Sequence, residues 1–276
     1  MTPGLWFADC RPEYLMSAIS EVARPAGAEG RTGSASTARY VFVDVWRGLA
    51  IIGVVIYHFG WDLNFFGFIP ASLMFSGPVT VFARALAGSF MFLAGVSLVL
   101  AHSRQARWEK FIWRLAKLIA AAVAISVVTY FLFPQGFIYF GVLHAIALAS
   151  VLGLAFLRLP VGAVALASLA ILAAPLLFET PAFDVRILAW IGFASDPPLA
   201  NDFVPVFPWF GVTLAGIVCA RIYLSRRQLR DARPPAARGA IVRGLTWVGQ
   251  RTLPIYLLHQ PVLFVGFVAF TRLAAA

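Results

Sequence analysis

Four ionisable residues lie at helical spacing in the first long apolar segment, which runs from Val43 to Leu63. They are Asp44, Arg47, His58 and Asp62. Because their separations of 3, 11 and 4 residues are close to whole turns, a helix places all four on one narrow face. A carboxylate four residues after a histidine can orient the ring and leave the other ring nitrogen to accept a proton. The spacing predicts a catalytic His58 oriented by Asp62, with two polar residues at a membrane surface as the alternative.

The other end of this polar stripe holds Asp44 and Arg47, which are three residues apart. They form either a simple ion pair at a membrane interface or part of a functional site, and the sequence leaves both open. Arg47 and His58 lie about 16 Å apart along a helix, roughly half the thickness of the hydrocarbon core of a bilayer. Charged groups inside a membrane cost a few kcal/mol each, so a stripe of four indicates a use.

The composition is that of a membrane protein. Of 276 residues, 61% are hydrophobic and 12% are charged, and the mean hydropathy is +0.85, which together exclude an ordinary soluble domain. The net charge of +10 comes mainly from short basic links between apolar segments, so it does not indicate a nucleic-acid partner. The sequence predicts a chain that crosses the lipid bilayer several times.

Seven apolar segments are each close to the length that crosses a bilayer as a helix. They cover residues 41–63, 79–101, 112–132, 138–157, 160–178, 205–224 and 252–271. A shorter apolar piece, Val185 to Phe193, fits a re-entrant or interfacial segment better than a span. The predicted fold class is all-α, a polytopic transmembrane helix bundle of about seven spans, and an eighth span is left open.

The charged residues between these segments predict the orientation. The links before 112–132 and before 252–271 are rich in arginine and lysine, which the positive-inside rule places in the cytoplasm. This predicts a cytoplasmic N-terminus and an extracytoplasmic C-terminus. Residues 1–39 mix proline, glycine, serine and charges, and we expect a disordered cytoplasmic tail there, with Met16 as an alternative start. The membrane domain is then expected over 40–276.

Two other histidines fall in apolar segments and are secondary catalytic candidates. His144 lies near the external end of its segment, at a depth where it could approach His58. His259 follows Tyr256 by one turn and precedes Pro261, which frees a backbone carbonyl of the helix. Tyr256, one turn before His259 in the same segment, is a further secondary candidate. For each histidine, a structural role is the alternative.

A metal site is not predicted. Three histidines on separate helices could ligate haem or a transition metal, but no second motif supports this. The signatures of serine hydrolases, nucleotide-driven pumps and zinc proteases are absent from the sequence. Cys10 and Cys219 lie in the predicted tail and in an apolar segment, so they indicate neither a disulfide framework nor a metal site.

A stretch rich in proline and aromatic residues precedes the sixth apolar segment. Asn201 and Asp202 lead into it, and Trp209 follows two prolines. Such a stretch favours a rigid, packed start to the segment. As an alternative, Asn201, Asp202 and Trp209 could form the rim of a substrate site on the external side.

Five blocks of the sequence resemble bacterial members of the heparan-alpha-glucosaminide N-acetyltransferase catalytic-domain family. The first block contains Asp44, Arg47, Gly48, Tyr57, His58, Phe59, Trp61 and Asp62. The others are Phe90 to Leu98, Phe140 to Ala145, Phe203 to Gly211 and Trp247 to Phe264. These blocks occur in the family's order, between about residues 40 and 270.

The resemblance implies an inner-membrane acyltransferase that moves acetyl from cytoplasmic acetyl-CoA to an amine or hydroxyl of an extracytoplasmic sugar or envelope glycan. Arg47, with Asp44, is then a candidate to bind the CoA phosphates, and His58 to act as base or nucleophile. In larger eukaryotic members the catalytic histidine lies in the loop after this helix, whereas Asn64 to Pro70 here contains none. A homodimer is left open.

Two rival hypotheses use the same polar stripe without a covalent step. In a transporter the stripe would be a proton or substrate path, and in a membrane scaffold it would carry no chemistry. The apolar segments show no pair of inverted halves of the kind that many transporters contain, which favours the enzyme.

Overall fold

The computed structural model describes residues 40–102, 108–228 and 239–274, so the predicted tail over 1–39 lies outside the described residues. Within them the chain forms ten α-helices, one short 3-10 helix at Pro181–Phe183 and no β-strand. The helices are α1 Val41–Phe65, α2 Ala71–Met74, α3 Gly77–His102, α4 Trp108–Leu132, α5 Val142–Phe156, α6 Val161–Leu177, α7 Arg186–Ala189, α8 Val206–Gln228, α9 Ala240–Gln250 and α10 Thr252–Ala274.

Each of the seven predicted apolar segments contains a helix. Five of these helices, α1, α3, α4, α8 and α10, are long and apolar enough to cross a membrane. The other two, α5 and α6, are apolar but have only 15 and 17 residues. The α5 helix begins late because Phe140 is extended and forms an isolated β-bridge with Phe203. The helical membrane bundle is confirmed for the described part of the chain, and the number of spans stays a prediction.

The predicted re-entrant segment contains a helix of only four residues, α7, and a turn. Its backbone is bonded to the start of α8: the amide of Val206 donates to the carbonyl of Trp190, and the amide of Phe207 to that of Ile191, both at 2.8 Å. These bonds hold the segment against the bundle.

The sequence indicated only a loop before the last helix. In the structure this link contains the helix α9. This helix packs along α1. Gly249 lies directly against the backbone carbonyl of Asp44, and Gly48 against that of Leu245. A β-carbon at either glycine would overlap these carbonyl groups, so the two backbones approach this closely only because both residues lack a side chain. The α9 helix therefore belongs to the packed part of the bundle.

Five helices form a closed ring through their successive contacts. Going round it, α1 packs on α3, α3 on α5, α5 on α4, α4 on α10, and α10 on α1. The contact between α4 and α10 is the smallest of the five. Behind the ring, α8 packs on α3 and α5, and α6 packs on α8. Residues that project from α1 toward the ring's interior can therefore be met from several helices.

The outer surface of the ring is apolar, as a surface in contact with lipid must be. Along α4 only Ala121 and Ala122 are buried, and none of the described residues of α10 is fully buried. The large exposed side chains of α4 include Ile112, Trp113 and Phe131. These two helices present most of their length to the bilayer.

Candidate active site

Two histidines face each other between α1 and α10. The ring centroids of His58 and His259 are 4.9 Å apart, with an angle of 59° between the ring planes. Both residues are half-buried. The ring of Tyr57 lies on the other side of His58, at 5.4 Å. The structure thus brings the predicted catalytic histidine together with one of the two secondary histidine candidates.

Asp62 does not orient His58, in contrast to the expectation from their spacing. Its Oδ1 accepts a hydrogen bond of 2.7 Å from Nε2 of Gln260 on α10, and its Oδ2 has no hydrogen-bond partner among the described residues. The carboxylate is buried, with 3% of its residue surface exposed. The neighbouring helix offers an amide donor at this level, and the carboxylate points to that donor instead of back along α1.

Tyr256 connects the histidine pair to the loop before α8. Its hydroxyl donates to Oδ2 of Asp202 at 3.2 Å, and its ring centroid is 5.6 Å from that of His259. The same Oδ2 accepts a bond of 2.8 Å from the amide of Val142, the first residue of α5. Burial raises the pKa of the Asp202 carboxyl, while these two hydrogen bonds act in the opposite direction. Asp202 therefore links α5 and α10 to the loop before α8.

His144 is held entirely by its own surroundings. Its Nδ1 accepts from the amide of Gly141 at 3.2 Å, so in the neutral ring Nε2 carries the hydrogen and faces Oγ of Ser126 at 3.2 Å. Ser126 in turn donates to the carbonyl of Ile138. Both ring nitrogens are used, and none of the described contacts of His144 involves His58. Its geometry fits the structural alternative.

Replacing Asp202 with alanine is expected to lower the free energy of unfolding by about 2 to 3 kcal/mol, because the Val142 amide and the Tyr256 hydroxyl lose their acceptor. Asparagine keeps one carbonyl oxygen, so Asp202→Asn should cost clearly less. Thermal unfolding of the two detergent-solubilised variants, followed by tryptophan fluorescence, compares them. Equal losses would contradict a role based on accepted hydrogen bonds.

A second polar cluster lies at the N-terminal end of α1. Nη1 of Arg47 is 2.9 Å from Oδ1 of Asp44, and its Nη2 donates to Oγ of Ser97 on α3 at 3.0 Å. Nε2 of Gln250, at the end of α9, donates to Oδ2 of Asp44 at 3.3 Å. The expected ion pair is present, and it joins three helices.

Arg114, near the start of α4, lies close enough to Arg47 for their positive charges to repel each other. Arg47 and Arg114 bring positive charge to this end of the ring, and positive charge attracts anions.

The three residues expected on the acceptor side are separated in the structure. Asp202 is hydrogen-bonded to Val142 and to Tyr256, whose ring lies next to that of His259. The backbone amide of Asn201 donates to the carbonyl of Gly136 at 2.8 Å, and the ring of Trp209 packs on the core beside Gly88. Neither Asn201 nor Trp209 has a described contact with His58 or His259. The packing alternative describes Trp209 best.

The model of the family described as heparan-alpha-glucosaminide N-acetyltransferase, catalytic, matches residues 39–261. The chain belongs to this family. The comparisons with curated proteins and with solved structures gave no match. As a member of the heparan-alpha-glucosaminide N-acetyltransferase family, with five helices among the described residues that are long and apolar enough to cross a bilayer, the protein is a multi-pass membrane acetyltransferase.

The match to the heparan-alpha-glucosaminide N-acetyltransferase family covers both polar clusters, from Asp44 to Gln260. Within the described residues, no group of three or more His, Cys, Asp or Glu side chains is arranged to hold a metal ion.

Sequence reasoning missed the residues that hold the predicted ones in place. Two glutamines donate hydrogen bonds to carboxylates of the polar stripe, Gln260 to Asp62 and Gln250 to Asp44. The hydroxyl of Ser97 accepts one from Arg47. Their partners lie on other helices, up to 206 residues away along the chain. The one usable signal was their type, since an amide or hydroxyl on an apolar helix needs a polar partner.

Proposed function

We propose that this protein transfers the acetyl group of acetyl-CoA to an amine or hydroxyl group of a sugar or envelope glycan. The observation that carries the proposal is the His58–His259 pair between α1 and α10 of a membrane acetyltransferase. Histidine is the side chain best suited to accept a proton near neutral pH or to act as a nucleophile toward a thioester.

The donor would bind at the end of the ring that holds Arg47 and Arg114. The phosphates of CoA are anions that arginine binds through charge-assisted hydrogen bonds. Along α1, Arg47 and His58 are separated by about 16 Å. The pantetheine arm of CoA is comparable in length, so its thioester would reach the level of His58 while the phosphates stay at Arg47.

His58 is the group that acts on the thioester, as a base or as a nucleophile. Its ring makes no hydrogen bond with the described residues, so its nitrogens are available to a substrate. Asp202, Asn201 and Trp209 lie in or next to the loop before α8, and the acceptor would approach from that side.

The orientation follows from the basic links. We place the N-terminus and the Arg47 end of α1 in the cytoplasm, where acetyl-CoA is found, and the Asp62 end toward the outside of the inner membrane. Residues 40–276 then form one membrane domain behind a cytoplasmic tail. In this arrangement the acetyl group crosses the bilayer along the polar stripe.

Replacing Arg47 with alanine is expected to raise KM for acetyl-CoA by about tenfold or more, the effect of losing one charge-assisted hydrogen bond. Steady-state CoA release from detergent-solubilised protein measures it. Ser97→Ala is the matched control, because it removes only the hydroxyl partner of Arg47 and keeps the guanidinium. An unchanged KM in Arg47→Ala would contradict the phosphate role.

The proposal itself is tested with radiolabelled acetyl-CoA and purified protein, with and without a crude extract of envelope glycans. Label on the glycan together with free CoA is the expected result. Absence of CoA release under every condition would contradict it. Gradient-dependent uptake or efflux without acetyl-CoA would instead indicate a transporter.

A further inference from the structure

Three buried polar atoms around the histidine pair have no hydrogen-bond partner among the described residues. They are Oδ2 of Asp62, Nε2 of His259 and Oε1 of Gln260. Asp62 on α1 is bonded to Gln260 on α10, and His259 is the residue before Gln260. An unpaired buried polar atom costs about 1 to 3 kcal/mol, so three on these two facing surfaces call for a bound ligand.

All three atoms accept hydrogen bonds. Gln260 uses its amide nitrogen on Asp62, which leaves its carbonyl oxygen free. Nδ1 of His259 is 2.7 Å from the backbone carbonyl of Tyr256, and a carbonyl can only accept, so Nδ1 carries the hydrogen. In the neutral ring Nε2 then holds a lone pair. The matching ligand therefore offers N–H or O–H donors, as a sugar amine or hydroxyl does.

The other histidines make this assignment specific. Both nitrogens of His144 are bonded within the protein. His102 also donates from Nδ1 to a backbone carbonyl, that of Leu98, but its ring is packed against Trp108 and Phe111 and faces no described polar side chain. Only His259 combines a free lone pair with a second histidine and a carboxylate on the facing helix, as far as the described residues go.

We propose that Asp62, Gln260 and His259 form the binding site for the acceptor, and that Nε2 of His259 takes its proton. This assignment rests on the proposed function and gives its two histidines separate roles. With His259 as the base, His58 is the nucleophile that faces the thioester. Asp62 binds the acceptor and does not orient His58.

The reaction balances in two steps. A ring nitrogen of His58 forms a bond to the acetyl carbonyl carbon, and the carbon–sulfur bond breaks with its electron pair on the sulfur of CoA. The amine or hydroxyl of the acceptor then bonds to the same carbon as its proton moves to Nε2 of His259. The bond from the carbon to His58 breaks, its electron pair returns to the ring nitrogen, and the proton passes on to give the CoA thiol.

The test separates the two steps with radiolabelled acetyl-CoA, counting label on the protein and on the envelope glycan extract. His259→Gln is expected to take up label as wild type does and to pass it to glycan about 100-fold more slowly. Asp62→Asn puts a donor in place of Oδ2, so it should raise KM for the glycan extract about tenfold and leave KM for acetyl-CoA unchanged. His102→Gln, which keeps the site intact, is the matched control and should behave as wild type.

Two results would overturn the assignment: transfer to glycan at the wild-type rate in His259→Gln, or a raised KM for acetyl-CoA instead of glycan in Asp62→Asn. If His259→Gln does not fold, the His259 tautomer is measured directly in ¹⁵N spectra of histidine-labelled protein. The His102→Gln variant is used because His102 also carries its hydrogen on Nδ1. At least one Nδ1–H histidine, His259, must then remain in the spectrum. Its absence would overturn the tautomer on which the base depends. If wild type releases no CoA at all, the proposed function fails before this assignment is reached.

Discussion

Replacing His58 with alanine is expected to lower the rate of acetyl transfer at least about 100-fold, the usual contribution of a catalytic acid, base or nucleophile. The fold should survive, because the His58 ring is half-buried and makes no hydrogen bond with the described residues. Its loss removes mainly the contact with the His259 ring. Labelled acetyl transfer, together with thermal unfolding of the same samples, separates catalysis from stability.

His102→Ala is the control for the His58 variant, since it removes a histidine from the opposite end of the bundle. It should leave the transfer rate close to that of wild type. An undiminished rate in His58→Ala would move the reacting group to His259. Loss of the folded state in His58→Ala would show that the ring is needed for packing, and His58→Gln would then have to restore the fold without activity.

Gly249→Ala is expected to lower the free energy of unfolding by about 3 kcal/mol, because a β-carbon there overlaps the backbone carbonyl of Asp44. A backbone carbonyl cannot rotate away as a side chain can, so α9 must move off α1. The displacement also pulls Gln250 from Asp44. We therefore expect KM for acetyl-CoA to rise in the same variant.

Gly244→Ala is the matched control within α9. Nothing lies within 4 Å of the β-carbon it would add, and alanine favours a helix over glycine by about 0.5 to 1 kcal/mol. Its thermal unfolding temperature should stay equal or rise. If both variants unfold alike, the close crossing of α1 and α9 does not stabilise the bundle.

The sequence was sufficient for the helices of the seven apolar segments, because a long apolar segment in a membrane must satisfy its own backbone hydrogen bonds. It was also sufficient to align Asp44, Arg47, His58 and Asp62 on one face of α1. It could not tell which helix meets that face, since lipid and protein neighbours are equally apolar and hydropathy does not distinguish them. The contact of His58 with His259 was therefore open, as was the hydrogen bond between Asp62 and Gln260.

The helix α9 was missed for a different reason. It has 11 residues and carries arginine, so a search for apolar segments long enough to span a bilayer passes over it. Its apolar residues do recur at helical spacing, and a search for amphipathic helices would have found it. The two glycines that bring it against α1 gave no signal by themselves.

The hydrogen bonds and contacts that hold the five helices of the ring together differ greatly from helix to helix. Side-chain hydrogen bonds hold α1 at both ends, through Ser97 and Gln250 at one and Gln260 at the other. Between α4 and α10 the described side chains form none, and their contact is small. A bulky molecule that enters the ring sideways from the bilayer therefore meets the least resistance between α4 and α10.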